Sequence, residues 1–209
     1  MSLLKGLVIH WMPMMHMTEM NHSCPKSVLA PTENPTLSKG FIIFQMPGNT
    51  TEYWDLQFTY EIDGNSYETT ERIEVLAAPN NRKQVNVFMG SDEAKYVLAM
   101  VGPNNPEVMI NDFTAALYKM ENMMAFTPVE NYTIAIDPRM PGMDNHGSPN
   151  NEDLSYNPNT QMYDGKLTLT MTGYWKVNLM LYNSSGELLK GEEVTETNPE
   201  SSLYFDFEI

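Results

Sequence analysis

Residues 5–17 read KGLVIHWMPMMHM, and residues 131–143 read NYTIAIDPRMPGM. Each stretch runs from alternating apolar and polar positions into a Met-Pro pair. Each also heads a longer segment in which the same landmarks recur. Laying residues 131–182 over residues 5–60 pairs Met12 with Met140, Pro13 with Pro141, Met15 with Met143, Asn21 with Asn145, and His22 with His146. Further along, Pro25 falls on Pro149, Gly40 on Gly165, Met46 on Met171, and Tyr53-Trp54 on Tyr174-Trp175. So many landmarks in one order point to a duplicated module.

Working outward, period-two patterning recurs in Gly6–His10, Gly40–Met46, Leu56–Ile62, Tyr132–Ile136, Lys166–Met171, Lys176–Tyr182 and Leu203–Phe207. Alternation sends one side of each strand to a core and the other to water. Asp63-Gly64 and Ser184-Ser185-Gly186 fall between such runs, where glycine accepts the backbone angles of a tight hairpin. The expected fold class is therefore all-β, with two related antiparallel immunoglobulin-like β-sandwich modules. Their boundaries are read as 1–80 and 81–209. One interval stays open, because Phe113, Leu117, Met120 and Met124 fit a helical stripe while Thr114–Tyr118 fits a strand. The two Tyr-Trp pairs read as core anchors, since indole bulk organises a small sandwich.

The second repeat is preceded by residues 83–129, with strand candidates Gln84–Phe88 and Lys95–Val101, whereas the first repeat opens almost at its Met-Pro strand. The first module is accordingly expected to be partial, with preceding sequence outside the chain. Its sheet would be completed by the other domain or by a second copy in a homodimer.

With 12 Lys+Arg against 27 Asp+Glu, the 209-residue chain carries a formal charge of -15. Scattered negative charge repels phosphate backbones, so nucleic acid is not expected as a partner. No run approaches the roughly 20 apolar residues that span a bilayer. One cysteine, Cys24, leaves no intrachain disulfide framework.

Methionine is abundant, at 18 residues. Its plain role is to fill irregular cores, so placement decides its meaning. His10, Met12, Met14, Met15, His16, Met17, Met20, His22 and Cys24 crowd into one short segment. If that segment is extended, His10, Met12, Met14 and His16 share one face, and Met15 and Met17 take the other. Thioethers are soft, carry no proton and suit copper(I), with imidazole adding nitrogen. A second, sparser set comprises Met140, Met143 and His146. Met46 and Met171 are repeat-matched additional donors. Calcium is the alternative ion, through Asp144, Asn145, Asn150, Asn151, Glu152 and Asp153, although no helix-loop-helix calcium pattern is present. No nucleophile, base and orienting group are visible as a set, and no blue-copper ligand order surrounds Cys24, so the expected role is not enzymatic.

The stretches IHWMPMMHMTEMNHSCP (9–25) and IDPRMPGMDNHGSPNN (136–151), each followed by a Gly-led strand and a YW-containing strand, resemble the YtkA-like proteins, especially tandem forms in Bacteroidetes envelope proteins. The resemblance covers residues 5–76 and about 84–209. It implies a copper-resistance or copper-carrier type of β-sandwich, in the periplasm or outer envelope, with a lipid anchor lying outside this chain. It also implies an envelope protein as copper donor or acceptor. By that resemblance Met12, Met15 and His22, and separately Met140, Met143 and His146, lie on the family's Met/His motif. The alternative reading is a non-catalytic envelope interaction or adhesion module whose Met-rich loops supply apolar contacts.

Overall fold

The computed structural model describes residues 8–34, 37–62 and 64–209, and the regular elements among them are β-strands and two single 3-10 turns. Every strand pairing described is antiparallel. The chain divides into two compact units, residues 1–77 with 121–126, and residues 78–120 with 127–209. No helix among the described residues is long and apolar enough to cross a bilayer.

The first unit contains β1 (Val8–His16), β2 (Asn21–His22), β3 (Ala30–Pro31), β4 (Ser38–Lys39), β5 (Tyr53–Ile62) and β6 (Asn65–Ile73). Its main sheet has the order β2-β1-β5-β6, with β3 and β4 paired separately. Ile62 stands opposite Asn65 in a two-residue hairpin, where Gly64 takes φ +76; Asp63, like Gly6 and Leu7, lies outside the described residues. Pro13 sits opposite Leu56 without breaking the β1–β5 ladder. β2 pairs only with Met15 and His16, so beyond it, among the described residues, β1 is an edge, where a missing N–H costs nothing.

Alternation along β1 sends Pro13 and Met15 inward, both buried. Met15, Cys24 and Trp54 form the fully buried centre, with Met17, Ile42, Phe44, Met46, Ile73 and Val75 packed around it. The expected strand Gly40–Met46 does not form. Its backbone makes only separate bonds to residues 25–27, from Ile43 N to Pro25 O and from Ser27 N to Phe41 O. Pro25 has no N–H to return, and Phe41 N donates to the Ser27 hydroxyl instead, so the ladder stops at a single bridge between Lys26 and Ile42. Gly40 lies against Trp11, where a Cβ would come within 2.8 Å of the indole.

The second unit contains β7 (Val85–Met89), β8 (Lys95–Gly102), β9 (Ile110–Asn122) up to Met120, β10 (Ala125–Pro128) from Thr127, β11 (Thr133–Met140), β12 (His146–Gly147), β13 (Glu152–Asn157), β14 (Met162–Thr168), β15 (Tyr174–Tyr182), β16 (Leu188–Lys190) and β17 (Tyr204–Glu208). Their order is β16-β15-β11-β13-β14-β9-β8-β7, with β17 on β15. β17 returns beside β7, where Asp206 N donates to Lys83 O and the Asn86 amide to Tyr204 O. The sheet thereby curls into a sandwich close to a barrel. The interval left open between helix and strand is the long strand β9, which pairs with β14 through Ile110–Ala115 and with β8 through Thr114–Lys119. Two partners on opposite sides satisfy its backbone, which a helical stripe could not have offered both sheets.

Phe113, Ile134, Leu154, Tyr163, Trp175 and Phe205 are fully buried in one core. Burial raises the phenol pKa of Tyr96 and Tyr163, and pushes that of Tyr118 up to about 12. Tyr96 also donates to Asp92 at 2.7 Å and Tyr163 to Val129 O at 2.9 Å. Folded values above the ordinary phenol value of about 10 mean that the folded chain holds these protons more tightly than the unfolded chain. This stabilisation is complete below about pH 10 and is lost as pH rises through the folded values. An alkaline titration should therefore show phenolate absorbance appearing together with loss of β-sheet circular dichroism. Phenolate release from these tyrosines while the sheet stays intact would contradict it.

Candidate metal-binding residues

Strand geometry divides the Met/His-rich segment into two sets on opposite faces of the first unit's sheet. His10, Met12, Met14 and His16 occupy one face, opposite Thr59, Gln57, Asp55 and Tyr53 of β5. His10 is exposed, while Met12, Met14 and His16 are half-buried. Met12 Sδ accepts a 3.2 Å hydrogen bond from the Ser23 hydroxyl, which also lies 2.7 Å from Pro13 O. His16 stacks on Tyr53 with ring centroids 4.9 Å apart. Its Nε2 lies 2.9 Å from Asp55 Oδ2, yet the ring N–H direction misses hydrogen-bond alignment, so the contact is an ion-pair approach only when His16 is protonated.

The opposite face carries the soft donors into one small core. Met15 is fully buried between His22 on β2 and Trp54 on β5. Met17 and Met46 pack against the same centre, and Cys24 belongs to it. A turn in which Met17 N donates to Met20 O brings the chain back into β2 and leaves Met20 at the surface. His22 is buried edge-on to Trp54, at 5.4 Å and 90°. Its Nδ1 lies 2.8 Å from Ser23 O. A carbonyl accepts only, so in the neutral ring the proton sits on Nδ1 and Nε2 carries the lone pair. Burial pushes the Cys24 thiol well above its ordinary value, with nearby Lys26 opposing weakly. The sulfur donors that need no deprotonation are thus the thioethers.

In the second unit Met140 is buried and Met171 packs against the same core, whereas Met143 and His146 are exposed. Met140 and His146 are register partners across β11 and β12. Met140 and Met171 thus belong to the large core of this unit, while Met143 and His146 lie at the surface.

The two units share a local geometry that shifts the sequence overlay. Trp54 Nε1 donates to Met46 O, and Trp175 Nε1 to Met171 O, both at 3.0 Å. Pro13 faces Leu56, two residues after Trp54, and Pro138 faces Val177, two residues after Trp175. Position in the ladder therefore matches Pro13 with Pro138 and Met15 with Met140, three residues from the Met-Pro overlay. The several methionines following Pro13 hid this register, because only pairing to the Trp strand distinguishes them.

Of the calcium alternative, Asn145 donates to Pro199 O, Asn151 donates to Ser148 O and accepts from Thr168 N, and Asp153 accepts from Ile136 N. Asp144, Asn145 and Asn150 adopt the positive φ of turn residues, and Glu152 and Asp153 begin β13. Among the described residues no three His, Cys, Asp or Glu side chains are grouped to hold a metal. What the sequence reading missed was the company of these donors: Ser23 on the Met12 sulfur and Asp55 beside His16. Asp55 is separated from His16 by long sequence distance, and only the β1–β5 register joins them. No family model, no curated protein and no solved structure matches this chain.

Proposed function

We propose that this chain is an extracytoplasmic copper(I)-binding or carrier protein of YtkA-like character, built from a duplicated β-sandwich module. The observation that supports it is the gathering of Met15, Met17, Met46, Cys24 and His22 around Trp54. Soft sulfur with one neutral imidazole suits copper(I), and an indole face adds cation–π attraction. Thioethers need no deprotonation, which matters where burial keeps Cys24 protonated. The periplasm or outer envelope is the proposed location, and a copper donor or acceptor protein there is the proposed partner.

The test is an anaerobic copper(I) competition titration on the whole chain. Met15→Leu with Met46→Leu keeps apolar volume and removes two sulfurs, so it should weaken the first-unit site about a hundredfold or more. X-ray absorption at the copper edge should show sulfur and nitrogen neighbours. Binding no tighter than about micromolar, or binding unchanged by the double substitution, would sink the reading. The interaction-module alternative is favoured by one feature, the exposed edge strand β6, and predicts no tight copper(I) binding.

A further inference from the structure

Among the described residues β6 ends the sheet of the first unit, pairing with β5 on one side. Eight of its nine residues are exposed and its register to β5 runs unbroken from Asn65 to Ile73. It contains no proline, no lysine and no bulge, three of the devices that stop an edge from recruiting another strand, and its charges, Glu68, Glu71 and Arg72, are of both signs. Its two faces differ. Glu68, Thr70 and Arg72 stand beside Thr59, Gln57 and Asp55, whereas Tyr67, Thr69, Glu71 and Ile73 stand beside Tyr60, Phe58, Leu56 and Trp54.

We propose that β6 is a homodimerisation edge, at which two copies of this chain pair antiparallel about a twofold axis passing Thr70. This register sets Glu68 of each copy opposite Arg72 of the other, twice. On the second face it sets Tyr67 opposite Ile73, also twice, and Thr69 opposite Glu71. Directly opposed residues of an antiparallel pair share a face, so ionic and apolar pairs form on separate sides of the joined sheet. Neighbouring registers do worse. An axis at Thr69 opposes Tyr67 to Glu71 and leaves Arg72 facing Ser66. An axis at Glu68 or at Glu71 brings two carboxylates face to face. Parallel pairing would set like residues side by side, including Glu68 with Glu68.

The apolar stripe across the sheet strengthens the case. Tyr67 is 45% exposed while stacking on Tyr60 at 5.4 Å, and Ile73 borders the Trp54 core. Pairing through the Thr70 axis adds Ile73 of the second copy beside Tyr67, continuing that stripe. Pairing at β6 uses none of the candidate copper ligands.

Sedimentation of the whole chain over a concentration series, at about 0.15 M salt to screen the net charge, should show a reversible monomer–dimer equilibrium. Glu68→Arg puts cation against Arg72 twice and should raise the dissociation constant about tenfold or more. Combining Glu68→Arg with Arg72→Glu exchanges the charges and should restore dimerisation. Independently of both, Thr70→Cys should form a disulfide dimer on mild oxidation, because opposed strand positions meet the geometry and Cys24 is buried. Thr69→Cys faces the other side, offset from its mate, and should cross-link at least about tenfold more slowly. A chain monomeric up to about 1 mM, a dimer indifferent to Glu68→Arg, or equal cross-linking at 69 and 70 would overturn the proposal.

Discussion

Trp54→Ala should remove about 3–5 kcal/mol from the first unit, enough to leave it unfolded while the core of the second unit persists. The side chain is fully buried in a small centre that it shares, among the described residues, with Met15 and Cys24. Phe44 meets it edge-on at 5.0 Å and His22 at 5.4 Å. Its N–H satisfies Met46 O at 3.0 Å, and that bond anchors a segment that has no strand ladder of its own. Removing the indole opens a cavity and strands a carbonyl together, in a core too small to collapse around the gap. Amide hydrogen exchange followed by mass spectrometry is the suitable readout. Protection should vanish across β1, β5 and β6 and survive across β9, β11 and β15. Trp54→Phe retains most of the ring and loses only the N–H, so it should cost about 1–3 kcal/mol. Undiminished protection of β1 and β5 in the alanine variant would show that Trp54 does not organise this unit.

That a Trp anchors each unit is legible from the chain, because Tyr-Trp precedes a core-like strand at 53–54 and again at 174–175. The all-β class was also legible, from alternation and from the two glycine turns at Gly64 and Gly186, with φ +76 and +81. Two readings were not recoverable locally. Residues 40–46 alternate like a strand, yet Pro25 and Ser27 deny them a regular partner. Strand propensity describes a surface, and whether a neighbour can pair with it is decided elsewhere in the sequence. The register of the methionines was hidden in the same way. Alternation correctly separates Met15 from Met12 and Met14, but which sulfurs meet depends on β2 returning His22 opposite Met15 and on the loop bearing Met46 closing over Trp54.

Gly191→Ala should be the most damaging single-methyl change in the second unit, at about 4 kcal/mol or more, lowering the melting temperature by about 8–16 °C. Gly191 has φ +92, and a Cβ there would lie 2.1 Å from Leu179 O and 3.0 Å from Ser201 Oγ. Those atoms form a buried polar junction. Ser201 Oγ donates to Leu179 O at 2.8 Å and accepts from Glu192 N and Leu203 N, while Ser201 N donates to Asn178 Oδ1. Leu179 N donates to Leu203 O, so the junction holds the lead-in to β17 against β15. A methyl group cannot be accommodated by rotating a side chain, because the obstructing atom is backbone. Gly186→Ala supplies the control: φ is +81 but nothing lies within 4 Å of a Cβ, so only left-handed strain remains, about 1–2 kcal/mol. Equal thermal shifts for the two variants would mean that conformational strain alone decides both, and that the close approach to Leu179 O contributes nothing. A much larger shift at Gly191 locates the second unit's weak point where the returning chain after β16 passes over the β15 backbone with room for hydrogen alone.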